Sequence, residues 1–429
     1  MSAKRIFILT SSGGNGLLQA AIAKEQQLRL ENPDVTIFKV DMTKQWLGKL
    51  TGRFGIFFWN YCMKKGHVFL LVLLWRFQRL AEILYYPKIF YNIFKMLKKE
   101  HVERIIDTQI LAPGCMLKAI RLFNWLYAKD IRLEKVITDL PTKDCHDFFN
   151  SIKNLSKKDK KYLKVLSISP FLEDCQTNTE FWEKYCNIPE SIVHYEPFYI
   201  RQSFYKYHDL KRENKPFELA IRAKSIEEKD LIANTIKYGT LNYVSTKEGF
   251  SFTIAPQCRV ITILLGSQPA QKATLQYAEK ILKLVNPNDS VALFVFCSYF
   301  VNKGDGLFQK IAKLISVTTN YPSNLTIIPM SYQEEDVIAP LFFRSDLTIT
   351  RSAGQTSLEL IYVGHGTHLI HSEYHVSNKD VSQNDLLKGM PAWEAGSARY
   401  LQKEKNSILV TPEIIDPQIN AFFTSYKNV

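Results

Sequence analysis

Two short stretches set small residues at the end of an apolar run. The first is Thr10-Ser11-Ser12-Gly13-Gly14-Asn15-Gly16, which follows Ile6-Phe7-Ile8-Leu9 and precedes a helical pattern over 17–30. Glycines let the backbone close in on a ligand, and the helix start beyond them offers free N–H groups and a positive dipole end. No Lys-Ser/Thr completes a P-loop, which argues against nucleotide hydrolysis. The second is Arg351-Ser352-Ala353-Gly354-Gln355-Thr356-Ser357-Leu358-Glu359, where a strand pattern over 346–350 runs into a helix. Free amides at 353–356 suit a diphosphate, and Glu359, about one turn further on, suits a ribose diol. Gly266-Ser267-Gln268 ends another apolar run. Ligands bind at such carboxyl ends of strands in open α/β sheets.

These turns need sheets behind them. Strand patterns at 6–10, 35–40, 104–108 and 135–139 alternate with helical ones. The pattern restarts with a strand at 260–265, a helix at 270–284 and strands at 290–297, 325–329, 346–350 and 367–371. That alternation predicts two mostly parallel α/β units. The boundaries fall at 1–205 for an N-terminal domain, 206–259 for a linker or insertion, and 260–429 for a C-terminal domain. Residues 217–256 fit no element by pattern alone.

With 429 residues, 46% hydrophobic and 23% charged, the composition is that of a globular protein and excludes a disordered one. The formal charge is +13, and most of it sits in 42–99, where eleven basic residues meet one acid, Glu82. Aromatic residues, among them Trp46, Phe54, Trp59, Phe69, Trp75 and Tyr91, are interleaved with them. Such a mixture at helical spacing predicts a segment lying on an anionic membrane. Ordinary core helices with a solvated basic rim are the other reading; nothing else in the chain supports nucleic-acid binding. The longest fully apolar run, 68–75, falls far short of the roughly 20 residues of a membrane span. Seven cysteines without a CxxC pair predict reduced thiols, hence a cytoplasmic, peripheral-membrane protein.

Five segments, in order, resemble motifs of the glycosyltransferases that include the monogalactosyldiacylglycerol synthases and the peptidoglycan lipid-intermediate N-acetylglucosaminyltransferase. Val136-Ile137-Thr138-Asp139-Leu140, with His146 and Phe148-Phe149 after it, is similar to a galactolipid-synthase segment. Phe198-Tyr199-Ile200-Arg201-Gln202-Ser203-Phe204 is similar to their interdomain stretch, and Trp393-Glu394-Ala395-Gly396-Ser397-Ala398-Arg399-Tyr400-Leu401 to a later one. Gly266-Ser267-Gln268 and the 351–359 helix start resemble donor-side loops of the N-acetylglucosaminyltransferase. The resemblance implies an α/β GT-B fold of two Rossmann-like domains with an interdomain cleft. It implies inverting transfer of a sugar from a UDP-sugar to an acceptor hydroxyl, without cofactor or catalytic metal.

On that basis Gly266, Ser267, Gln268, Arg351, Ser352, Ala353, Gly354, Gln355, Thr356, Glu359, Trp393 and Glu394 are expected on the donor side. Ser12, Gly13, Gly14, Asn15 and Gly16 are expected on the acceptor side. Three positions depart from the family. Leu17 stands where its glycine loop ends in His, Trp393 where it has Gln, and Gly364-His365-Gly366 where it has Gly-x-Pro. The general base therefore falls to Asp139 first and His146 next, with Asp144 and Asp147 nearby. A helix cap or turn is the other role open to Asp139. His365, His368, His371 and His375 are crowded, yet no Cys or carboxylate completes a zinc spacing, and no metal is expected. The expected partners are a nucleotide sugar, an anionic membrane surface and a lipid or protein acceptor. The rival readings are a non-catalytic membrane-binding scaffold on the same fold and a protein-modifying glycosyltransferase.

Overall fold

The computed structural model describes residues 5–425 except 13–15, 49–50, 110–112, 144–148, 174, 198, 301–305 and 378–379. Gly13, Gly14, Asn15 and His146, with Asp144 and Asp147, therefore lie outside the described residues.

Near-continuous apolar strands belong to sheets covered on both faces. In the first domain β1 (Arg5–Thr10), β2 (Thr36–Asp41), β3 (Arg104–Asp107), β4 (Leu133–Val136), β5 (Leu163–Ser167) and β6 (Val193–Tyr195) pair in parallel. Their order is β2-β1-β3-β4-β5-β6. The helices between them are α1 (Gly16–Glu31), α2 (Met42–Gln45), α3 (Thr51–Lys65), α4 (Val68–Glu100), α5 (Pro113–Tyr127), α6 (Asn150–Lys153) and α7 (Lys157–Lys160). The strand expected over 135–139 ends at Val136, its last pairing being with Leu166. Asp139 consequently sits in the loop beyond the strand's carboxyl end.

After α8 (Gln202–Tyr205) the chain forms β7 (Phe217–Arg222), α9 (Ile226–Ile236), β8 (Asn242–Ser245) and β9 (Gly249–Ile254), an antiparallel sheet in the order β7-β9-β8. Leu219, Ile221, Phe250, Phe252 and Ile254 share one core with the next domain's sheet. That sheet comprises β10 (Arg259–Leu264), β11 (Val291–Phe296), β12 (Leu325–Met330), β13 (Leu347–Thr350), β14 (Thr367–His371) and β15 (Ile408–Val410). Its helices are α10 (Gln271–Leu284), α11 (Leu307–Val317), α12 (Glu335–Arg344), α13 (Gly354–Val363), α14 (Gln383–Leu387), α15 (Ala392–Lys405) and α16 (Asp416–Thr424). All its pairings are parallel and the order is β12-β11-β10-β13-β14-β15.

Both sheets are doubly wound. The second has the dinucleotide-fold order, reversing between β10 and β13, and the first reverses between β1 and β3. The chain thus has two Rossmann-like domains in the GT-B manner.

The basic, aromatic stretch is the crossover between β2 and β3, and it forms a helical hairpin. Its second helix, α4, has 33 residues and so is about 50 Å long. The far half belongs to the domain core, burying Ile89, Ile93 and Leu97 with Met116, Ile120 and Phe123 of α5. The near half leaves Phe69, Leu73, Phe77, Leu80 and Leu84 exposed at steps of three and four, one face of a helix. Phe54, Phe57 and Tyr61 of α3 are exposed as well. No helix among the described residues is long and apolar enough to cross a membrane.

The linker is held by one buried carboxylate. Asp346 accepts from Arg212 Nη1 (2.6 Å), Arg344 Nη1 (2.8 Å) and the Val260 N–H (2.7 Å). Asp346→Ala would leave the buried Arg344 guanidinium without its counter-charge, and should lower stability in urea by about 3–5 kcal/mol. A loss of under about 1 kcal/mol, as for an exposed pair, would contradict this reading.

Candidate functional site

The sheets' switch points face one cleft. From the second domain come Gly266 and Ser267 after β10, then Arg351 and the first turn of α13 after β13. Ser11 after β1, Gly16 and Gln19 come from the first. Gly266 has φ +84, the left-handed region that glycine enters without strain. Ala353 caps α13 without a side-chain bond, so the first N–H groups of that helix lack a capping partner from Ala353.

The two domains approach closely across the cleft. Its cavity volume is about 220 Å³, below the roughly 300–1,000 Å³ of small-molecule sites. Two glycines of the second domain allow this approach. A Cβ on Gly354 would lie 2.6 Å from Asp139 Oδ1 and 2.7 Å from the Thr138 carbonyl, and one on Gly396 would overlap the Thr142 hydroxyl. Arg399 pairs with Glu173 (2.9 Å), and Tyr400 meets Phe171 edge to face. Arg201, on the crossing between the domains, donates from Nε and Nη2 to the two oxygens of Glu359, each at 2.7 Å. Both groups are buried. Burial works against the Arg201 charge, but Glu359 beside it holds the guanidinium above its ordinary pKa. Gln355 donates a third bond to Glu359 (3.0 Å). A carboxylate has about four acceptor positions, so one remains for a ribose hydroxyl.

Asp139 lies across the cleft from the start of α13. Removal from water pushes its carboxyl up to about 6. Thr138 and the Gly354 N–H pull the other way, while the nearby charge of Glu394 adds to the rise. Glu394, in the first turn of α15, is buried and accepts from Arg351 Nε at 3.1 Å. Next to it Trp393 stacks on Trp59 of α3 (6.3 Å, 19°) and lies tilted against Trp75 of α4 (6.3 Å). Met63 of α3 contacts Arg351 (3.7 Å). The hairpin therefore forms one wall of the cleft.

Gly16, Asp139, Gly266, Ser267, Arg351, Ala353, Gly354, Gln355, Thr356, Glu359, Trp393 and Glu394 line this cavity. Ser12, Gln268 and Ser352 are buried behind it, with Ser352 donating to the Glu394 carbonyl (2.8 Å). The four histidines do not gather at one point, although His371 and His375 line a common cavity away from the cleft. His365 packs edge-on to Phe343, His371 bonds Tyr277 (2.8 Å), and burial lowers His368 to about 4. Among the described residues no three His, Cys, Asp or Glu come together as a metal site. Missing from the sequence-based set were Arg201, Gln19, Tyr332, Trp59 and Trp75. Arg201 stood in a quoted motif and the two tryptophans in the aromatic stretch; Gln19 and Tyr332 carried no signal.

Comparison with protein-family models and with curated proteins finds no match. Solved structures similar to this chain include Acinetobacter baumannii MurG, with 13% identity over 99% of this chain and 91% of that one, TM-score 0.46. The glycosyltransferase of kitacinnamycin has 8% identity over 99% and 94%, TM-score 0.44. The Neisseria meningitidis UDP-GlcNAc 2-epimerase, bound to UDP-GlcNAc, has 12% identity over 98% and 99%, TM-score 0.41. Likenesses this distant leave the chemistry to be argued from this chain's own residues.

If glycine is what permits closure, Gly354→Val and Gly396→Val should open the cleft. Small-angle X-ray scattering should give a larger radius of gyration for each variant. A profile identical to wild type for both would show that closure does not depend on these contacts.

Proposed function

We propose that this chain is a glycosyltransferase moving a sugar from a nucleotide diphosphate sugar, most simply a UDP-sugar, to an acceptor hydroxyl at a membrane surface. The observation that carries this reading is the meeting of Asp139 with the start of α13, with Glu394 of the other domain near enough to raise Asp139 and lining the same cavity. The α13 amides and the Gly266–Ser267 turn would bind the diphosphate, Glu359 the ribose, and Glu394 and Trp393 the sugar. The acceptor oxygen bonds to the anomeric carbon while its proton passes to Asp139. The bond from that carbon to the phosphate oxygen breaks, and its electron pair leaves with the nucleoside diphosphate toward the start of α13. A base with a pKa near 6 is mostly ionised at neutral pH yet still takes a proton well.

Closure supports the rival reading of a non-catalytic scaffold. Asp139 faces the anion position of α13, and Glu359 is largely taken by Arg201. Donor binding separates the two. Wild type is titrated with a panel of UDP- and GDP-sugars beside Glu359→Ala and Asp139→Asn, and hydrolysis is followed. One sugar nucleotide should bind, Glu359→Ala should lose that binding, and Asp139→Asn should bind but turn over about 100-fold or more slowly. No binding at millimolar donor would favour the scaffold.

Turnover should rise with pH through about 6 and then level off, as Asp139 ionises. The folded protein also holds this proton more tightly than the unfolded chain. Stability should therefore fall as pH rises from about 4 to about 6, and Asp139→Asn should flatten that fall.

The exposed face of the hairpin supports the membrane half of the proposal, since its apolar side chains lie among basic ones. Phe69→Asp with Phe77→Asp should reduce co-sedimentation with phosphatidylglycerol-containing vesicles about tenfold and leave donor binding intact. Unchanged sedimentation would remove the membrane from the proposal.

A further inference from the structure

A second cavity, at the tip of the hairpin, shares no lining residue with the cleft and has a volume of about 470 Å³. Four lysines reach it from both domains: Lys64 and Lys65 in the last turn of α3, Lys272 in the first turn of α10, and Lys310 on α11. Among the described residues no carboxylate lies within salt-bridge distance of Lys64, Lys65 or Lys272. The first turn of α10 lines the same cavity, and it has neither a side-chain cap nor an acidic residue. Its orphan N–H groups and positive dipole end thus stand among ammonium groups. The lysines and the helix end carry the same sign of charge, which an anion in the cavity would offset.

Two carboxylates also line the cavity. Glu373 abuts Gly66 in the hairpin turn, with His371 at 3.2 Å and Arg351 nearby. Glu413 is exposed. Lys64, Lys65 and Lys272 outnumber them, and the helix end adds to the positive side.

We propose that this cavity is a phosphate-binding site, taking the phosphate of a lipid headgroup or of a free phosphate ester. The hairpin turn leads directly to Phe69, 77% exposed and the first residue of the apolar stripe. A headgroup in the cavity would leave its chains beside that stripe. The lipid source rests on the membrane half of the proposed function, whereas phosphate binding as such does not.

The test uses the full chain, titrated calorimetrically with inorganic phosphate and sedimented with phosphatidylcholine vesicles with and without phosphatidylglycerol. Lys272→Glu is compared with Lys95→Glu, the same charge change on the hairpin outside the cavity. Lys272→Glu should weaken phosphate binding about tenfold and Lys95→Glu less than about twofold. In phosphate-free buffer Lys272→Glu should also melt higher, because an acid then occupies the helix start. If only vesicles bind, and Lys272→Glu alone weakens them, the site reads a lipid headgroup. The proposal is overturned if wild type binds neither probe, if the two variants weaken binding equally, or if neither changes it. A sugar nucleotide titrated into the same samples reports on the cleft separately, so the two readings fail independently.

Discussion

The ion pair between Arg201 and Glu359 joins the domains where the chain crosses from one to the other. Burying a guanidinium and a carboxylate costs several kcal/mol for each ion, and only aligned, charge-assisted bonds offset it. Here two bonds of 2.7 Å, with Gln355 and Gln19 completing the surroundings, meet that requirement. The geometry leaves little freedom. If the domains slide, both charges are left buried and unpaired, so the pair locks α1, α8 and α13 into one register. With that register set, Gly354 is pressed against the 138–139 loop and Gly396 against Thr142. The small cavity, the raised Asp139 and the meeting of Trp393 with the hairpin all follow.

The hairpin illustrates how one pair of helices serves two surfaces. A helix repeats every 3.6 residues, so residues a few positions apart point to different sides. Trp59 and Trp75 turn inward to Trp393, while Phe57, Phe69 and Phe77 turn outward. The far half of α4 is anchored in the domain core, and the tip abuts Glu373 of the other domain. Whatever presses on the outer face is therefore one helix thickness from the cleft.

Much of this architecture was legible in the chain. Nine of the twelve strands in the two parallel sheets stand out as apolar runs, most of them buried on both faces, whereas β5, β6 and β15 did not. The turns after β1, β10 and β13 stand out because small residues follow those runs. The antiparallel sheet was not legible: β8 is exposed along its length, and no apolar run marks it. Asp139 was found from a motif, but its position beyond the strand was not. The pairing of Arg201 with Glu359 joins residues 158 positions apart, and nothing local to either announces the other.

The sequence by itself determined what depends on neighbours along the chain: most of the parallel strands, the glycine turns, the helix start at Gly354 and the charge gathered in 42–99. Only the tertiary structure decided which groups remain available for chemistry. Asp139 is pushed up to about 6 because packing draws it away from water and the charge of Glu394 from the other domain adds to the rise. Glu359 is mostly occupied because Arg201 folds back onto it. A side chain's charge and reach are local properties, but its solvation and its partners belong to the packed molecule.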